Sequence, residues 1–119
     1  MLPLVTVVDD DQSVRESLPD LLAQFGFSVR AFSSAEEFLT SDCLGTAKCL
    51  ILDVAMPGMS GLDLQRELTL GGWHIPIVFI TASRDETIRD LVLERGAVDC
   101  LVKPFSESVL LAALDVALH

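Results

Sequence analysis

Short apolar runs alternate with segments of helical spacing along the whole chain. Leu4-Val5-Thr6-Val7-Val8 is rich in β-branched residues and stops at Asp9, Asp10 and Asp11. From Val14 to Phe25 the apolar positions (Val14, Leu18, Leu21, Leu22, Phe25) keep helical spacing, and Gly26 follows as a helix-ending residue. Phe27 to Phe32 alternates residue by residue, as an edge strand does. Ser34-Ala35-Glu36-Glu37 reads as a capping box, with the helix continuing through Phe38 and Leu39. Cys49-Leu50-Ile51-Leu52 predicts a buried strand ending at Asp53. Met56-Pro57-Gly58-Met59 has loop chemistry, and Ser60-Gly61 opens a helix that runs to Leu70 before Gly71-Gly72. Ile75 to Ile80 is a further strand, ending at Thr81. Ser83-Arg84-Asp85-Glu86 reads as a second capping box, for a helix ending at Gly96. Val98 to Val102 predicts the last strand, ahead of Lys103-Pro104, and Ser106 caps a helix to about Leu118. Pro19 conflicts with its own helix, because an interior proline costs roughly 3 kcal/mol relative to alanine. A kink or a locally broken hydrogen bond is expected there.

This alternation makes five β–α units without an internal repeat. It predicts an α/β fold: a doubly wound, five-stranded parallel sheet with right-handed crossovers and helices on both faces. Such sheets bind ligands at the carboxyl ends of their strands. Those ends carry Asp9 and Asp10, then Asp53, Thr81 and Lys103. With strand order 2-1-3-4-5 the four strands concerned are neighbours, and their ends converge. The result is a pocket of carboxylates with one hydroxyl and one ammonium. Clustered carboxylates repel, so a cation is expected to compensate them; oxygen-only donors suit a hard divalent ion such as Mg2+. Asp53 is placed to act as a nucleophile, because carboxylates form acyl phosphates. Thr81 can donate to one phosphoryl oxygen and Lys103 can pair with another. For Asp11 the preferred role is a helix cap.

Composition narrows the partners. The 119 residues suit one domain, spanning 1–119, and half of them are hydrophobic, enough for a real core. With 18 acidic against 8 basic residues the formal net charge is −10, which argues against direct nucleic-acid binding. Three cysteines without C-x-x-C spacing argue against a disulfide framework or a zinc site and for a reducing, cytoplasmic setting. Neither a signal peptide nor an apolar run of membrane-spanning length is evident, so no membrane partner is expected.

The segments VVDDD (7–11), LDVAMPGMSG (52–61), ITA (80–82), GA (96–97) and KPF (103–105) strongly resemble the receiver domain of two-component response regulators, in order and in spacing. The resemblance covers essentially the whole chain and implies a flavodoxin-like fold. It implies that Asp53 is the phosphoacceptor for the phosphohistidine of a sensor histidine kinase. Asp9 and Asp10 are implied as the Mg2+-binding acidic pair, with Asp10 favoured as direct ligand, joined by Asp53 and the backbone carbonyl of Ala55. Thr81 is implied as the switch hydroxyl, Lys103 as the phosphoryl-binding lysine, and Lys103-Pro104 as a cis peptide. The face formed by the last two helices and the fifth strand is implied as the signalling surface, with homodimerisation as one output. The text around VDDDQSVRESL and MPGMSG is closest to the subfamily with a C-terminal helix-turn-helix output domain; residues 1–119 hold no such domain. One position departs from the pattern: Cys100 stands where the family places an aromatic switch residue. A smaller change at the fifth strand is therefore expected on activation. Small residues at Ala55 and Ser83 leave water open access to an acyl phosphate.

Other readings fit less of the pattern. A phosphatase of the haloacid dehalogenase type would place its nucleophile on the first strand. A degenerate receiver acting only as an interaction module would not need the full acceptor set. Flavin binding would need donors, not acids, after strand one. Cys43, Cys49 and Cys100 read as small hydrophobes; Phe25, Phe27, Phe32, Phe38 and Phe79 as core; Trp73 and His74 as loop and packing residues. The charged run from Arg84 to Arg95 reads as a solvated helix face or a partner surface.

Overall fold

The computed structural model describes residues 2–119. Five strands, β1 (Leu4–Val8), β2 (Ser28–Phe32), β3 (Cys49–Asp53), β4 (Ile77–Thr81) and β5 (Asp99–Val102), form one parallel sheet in the order β2-β1-β3-β4-β5. Four helices lie in the connections, α1 (Gln12–Gln24), α2 (Ala35–Leu39), α3 (Gly61–Leu70) and α4 (Glu86–Glu94), and α5 (Glu107–Leu118) follows β5. The doubly wound architecture expected from the alternation is the one found.

Residue-by-residue alternation in the strands builds two cores. Val5, Val7, Cys49, Ile51, Val78, Ile80 and Leu101 face α1 and α5, where they meet Leu18, Leu22, Leu110 and Leu114. Val8, Leu50, Leu52, Phe79 and Cys100 face α2, α3 and α4, where they meet Phe38, Leu64, Leu68 and Val92. Strands covered on both faces need continuous apolar sequence, which explains the unbroken runs in β3 and β4. No described helix is long and apolar enough to cross a membrane.

α1 spans Gln12–Gln24 with Pro19 inside it, and a nitrogen without a proton cannot give Arg15 its hydrogen bond, which is the locally broken bond expected there. Several other local expectations need correction. The Ser34 hydroxyl does accept the Glu37 N–H, but the Glu37 carboxylate takes the Ser33 hydroxyl at 2.7 Å, so that capping box is half made. At α4 the cap is Asp85, not Ser83; Ser83 Oγ accepts the Asp85 N–H one step earlier. The full capping box is at α3, between Ser60 and Asp63, where the sequence reading foresaw only the serine. A 3-10 turn at Asp42–Gly45 was not expected. Phe25 is 46% exposed rather than core: it is the C-cap of α1, after the last helical residue, on the rim of an open groove.

Candidate functional site

β1 ends in the sheet, so Asp9 is still part of the ladder: its N–H reaches the Phe32 carbonyl at 3.1 Å and its side chain is wholly buried. A buried carboxylate must be paired. Asp9 Oδ2 takes Lys103 Nζ at 2.8 Å, and Oδ1 takes the Asp11 N–H at 2.9 Å. Asp10 is exposed beside it. Asp11 caps α1, accepting the Ser13 N–H and hydroxyl, and these bonds hold its carboxyl below the usual range. The preferred reading of Asp11 thus agrees with its contacts.

Asp53 closes β3, 7% exposed. Its Oδ2 lies 3.8 Å from Lys103 Nζ, and its Oδ1 accepts a long bond of 3.4 Å from the Ala55 N–H. One carboxylate oxygen from each of Asp9, Asp10 and Asp53 falls within 4.8 Å of the others. Burial, then the charge of Asp9, push the Asp53 carboxyl up to about 7, with Lys103 opposing. Burial works against the Lys103 ammonium, but its bond to Asp9 and the charges of Asp53 and Asp9 outweigh that, so its pKa is raised. The chemistry of this donor set, three carboxylates strained by mutual repulsion, fits a hard divalent cation.

Thr81 ends β4, one residue beyond the Asp53–Ile80 register pair, and is 5% exposed. Its hydroxyl accepts the Ser83 N–H at 3.0 Å. Lys103 follows β5, its N–H on the Thr81 carbonyl at 2.7 Å, and the Lys103–Pro104 bond is cis. Ala55 is exposed, directly after Asp53 and Val54. The structure therefore gathers Asp9, Asp10, Asp53 and Lys103 by direct contact or proximity, and sets Thr81 and Ala55 on the adjoining strand end and loop. Cys100 lies apart. It is 2% exposed in the core against α3 and α4, where burial pushes its thiol up. Cys43 and Cys49 are also buried and free.

Four residues escaped the sequence reading. Arg15 donates to the Asp9 carbonyl at 3.0 Å. Glu36 accepts the Met59 N–H at 2.8 Å. Arg89, read only as part of a charged face, donates to the Cys100 carbonyl at 2.6 Å and meets Asp99 Oδ1 at 3.1 Å. Buried Gln65 donates to the Val92 and Arg95 carbonyls at the end of α4. All four act on main-chain groups or on residues distant in sequence, so residue type and spacing carry no signal for them. A groove of about 640 Å³ lined by Phe25, Phe27 and Leu118 opens elsewhere and contains none of the clustered carboxylates.

The family model described as response regulator receiver domain matches residues 5–115. The chain belongs to the receiver domain family. The response regulator protein TodT of Pseudomonas putida is 45% identical over 115 residues, covering 97% of this chain and 51% of that protein. Nodulation protein W of Bradyrhizobium diazoefficiens is 46% identical over 114 residues, covering 96% and 50%. Among solved structures, the response regulator StyR superposes with a TM-score of 0.91 at 47% identity, covering 99% of this chain and 60% of that one. FixJ-N gives 0.88 at 35%, covering 98% and 94%. This receiver domain spans about half the length of the curated relatives it matches.

Proposed function

We propose that this receiver domain is a phosphoacceptor switch in which Asp53 takes a phosphoryl group from the phosphohistidine of a sensor histidine kinase. The observation that carries this reading is the setting of Asp53: a nearly buried carboxylate, crowded by Asp9 and Asp10 and 3.8 Å from Lys103. In the transfer, an Asp53 oxygen forms a bond to phosphorus as the nitrogen–phosphorus bond breaks. The imidazole leaves with the electron pair and takes up a proton. Asp9, Asp10, Asp53 and the Ala55 carbonyl would hold Mg2+. When bound, that ion supplies the positive charge that keeps Asp53 ionised and balances the phosphoryl oxygens. Lys103, already raised in pKa and anchored by Asp9, is available to a phosphoryl oxygen. Thr81 accepts from the Ser83 N–H and keeps its own hydroxyl proton free, so it would donate to another, acting on the chain that leads into α4. The α4-β5-α5 face then changes its packing for a partner or a second receiver. Any phosphatase activity is self-catalysed hydrolysis of the acyl phosphate by water.

Relatives named as transcriptional regulatory proteins, such as TdiR of Thauera aromatica and FixJ of Azorhizobium caulinodans, support control of transcription as the output. The acidic balance supports a role without direct nucleic-acid contact by this domain, and three free cysteines fit a reducing, cytoplasmic setting. Intact-protein mass spectrometry after a small phosphodonor tests the core claim. One phosphoryl adduct is expected with Mg2+, none with a chelator and none in Asp53→Asn. An adduct that survives in Asp53→Asn would reject Asp53 as the acceptor.

A further inference from the structure

Residues 55–59 leave β3 beside the acidic cluster and return to α3, and both ends of this loop are held locally. At its start the Val54 N–H reaches the Ile80 carbonyl at 3.0 Å. At its end the Gly61 N–H reaches the Val54 carbonyl at 2.9 Å, and the Ser60 N–H reaches Asp63 Oδ2 at 3.0 Å. Between them, among the described residues, one hydrogen bond ties residues 56–59 to another element: Met59 N–H to Glu36 Oε1, at 2.8 Å. Glu36 lies in the first turn of α2 but is not used in capping that helix. Gly58 leaves room for the contact. Its φ is +74°, and a Cβ there would stand 3.2 Å from Glu36 Oε1. Glu36 is outside the three-carboxylate cluster, so it is not itself a ligand.

We infer that Glu36 is a positioning residue for the cation site. Its carboxylate pins Met59 and thereby fixes the path of the loop that carries the Ala55 carbonyl. The inference rests on the metal reading proposed above. A carboxylate accepting a main-chain N–H is a charge-assisted bond, stronger than a neutral one. Buried Met56 and half-buried Met59 give the loop apolar anchors, while Ala55, Pro57 and Gly58 are exposed, so the Glu36 bond is the directional tie that sets the path between those anchors. A loop ordered before the ion arrives presents its carbonyl without paying conformational entropy at that moment.

The test is Mg2+ titration calorimetry on wild type, Glu36→Ala and Glu36→Gln, together with amide exchange at Met59 in the metal-free proteins. Glu36→Ala should weaken Mg2+ binding about tenfold, the low end for outer-shell partners, and speed exchange at Met59. Glu36→Gln keeps an acceptor oxygen without the charge and should restore part of both. Unchanged affinity in Glu36→Ala would overturn the inference. Glu36→Gln binding as weakly as Glu36→Ala would overturn it too, because lost charge rather than lost positioning would then explain the effect. A wild type that takes up no Mg2+ would overturn the metal reading itself, and this is seen before any variant is compared.

Discussion

α3 and α4 each follow a strand that ends at the acidic pocket, yet they are attached in opposite ways. α3 starts against the main chain of Asp53: Gly61 is buried, and any Cβ there would collide with the Asp53 carbonyl. A reciprocal capping box fixes the first turn, and Leu64, Gln65 and Leu68 are buried below it. α4 has one buried residue, Val92, and an exposed Asp85 as its cap. Ile88 and Leu93 pack only partly buried beside it, and polar clips add to them, from Arg89 to the β5 edge and from Gln65 to the last turn. The β3 side therefore has to stay fixed while the β4 side can shift at small cost. Segments with few buried apolar contacts are where local opening is easiest. The route proposed above, from Asp53 out through α4, would follow that gradient.

Four measurements sharpen or break this contrast. The largest effect is expected at Gly61→Ala, where overpacking against fixed main chain should cost about 3 kcal/mol or more. Urea melts would show it, and a loss below about 1 kcal/mol would mean the β3–α3 junction yields as easily as α4. Lys103→Met comes next, because it strands the wholly buried Asp9 carboxylate; a loss of about 2–3 kcal/mol at pH 7 is expected from thermal or urea melts.

Asp53→Asn should act in the other direction in the metal-free protein. The folded pKa of Asp53 is about 7, above the ordinary value of 3.8, so the folded state holds this proton more tightly than the unfolded state. That contribution is fully present below about 4 and is lost as pH rises through about 7. Asp53→Asn should therefore be more stable than wild type at pH 8, by something on the order of 2 kcal/mol, with the gain vanishing near pH 4. Added Mg2+ should close the gap at pH 8 by stabilising wild type alone; a pH-independent difference would remove the electrostatic account. The smallest global effect is expected at Arg89→Ala. Its partly exposed pair with Asp99 is worth roughly 1 kcal/mol or less. Hydrogen exchange should nevertheless quicken in α4 and not in α3, and equal exchange in the two helices before mutation would break the comparison outright.

Much of this was legible in the chain itself. Apolar runs with no polar interruption, as in Leu50-Ile51-Leu52, require cover on both faces, and helices between them leave a parallel sheet as the answer. Ser60, Ser106 and Asp11 announce helix starts because capping is local chemistry. Where a side chain could serve two local purposes, the reading went astray. Ser83 and Asp85 are both able to cap, and the turn geometry after Thr81 gave the cap to Asp85. Phe25 has the right spacing for a core residue but falls at the C-cap of α1 and stays exposed.

Residue type and order alone set the succession of elements, the two apolar faces and the acids, hydroxyl and ammonium that fall at strand ends. These follow from local propensity and periodicity, which neighbouring residues settle among themselves. Tertiary structure alone decided how those groups differ: Asp9 buried and bound to Lys103, Asp10 left in solvent, Asp53 crowded until its carboxyl is pushed up to about 7. It alone also set Glu36 on Met59 and Arg89 on the Cys100 carbonyl. Burial and Coulomb interaction depend on distances between atoms that the chain separates by tens of residues, and only the packed sheet fixes those distances.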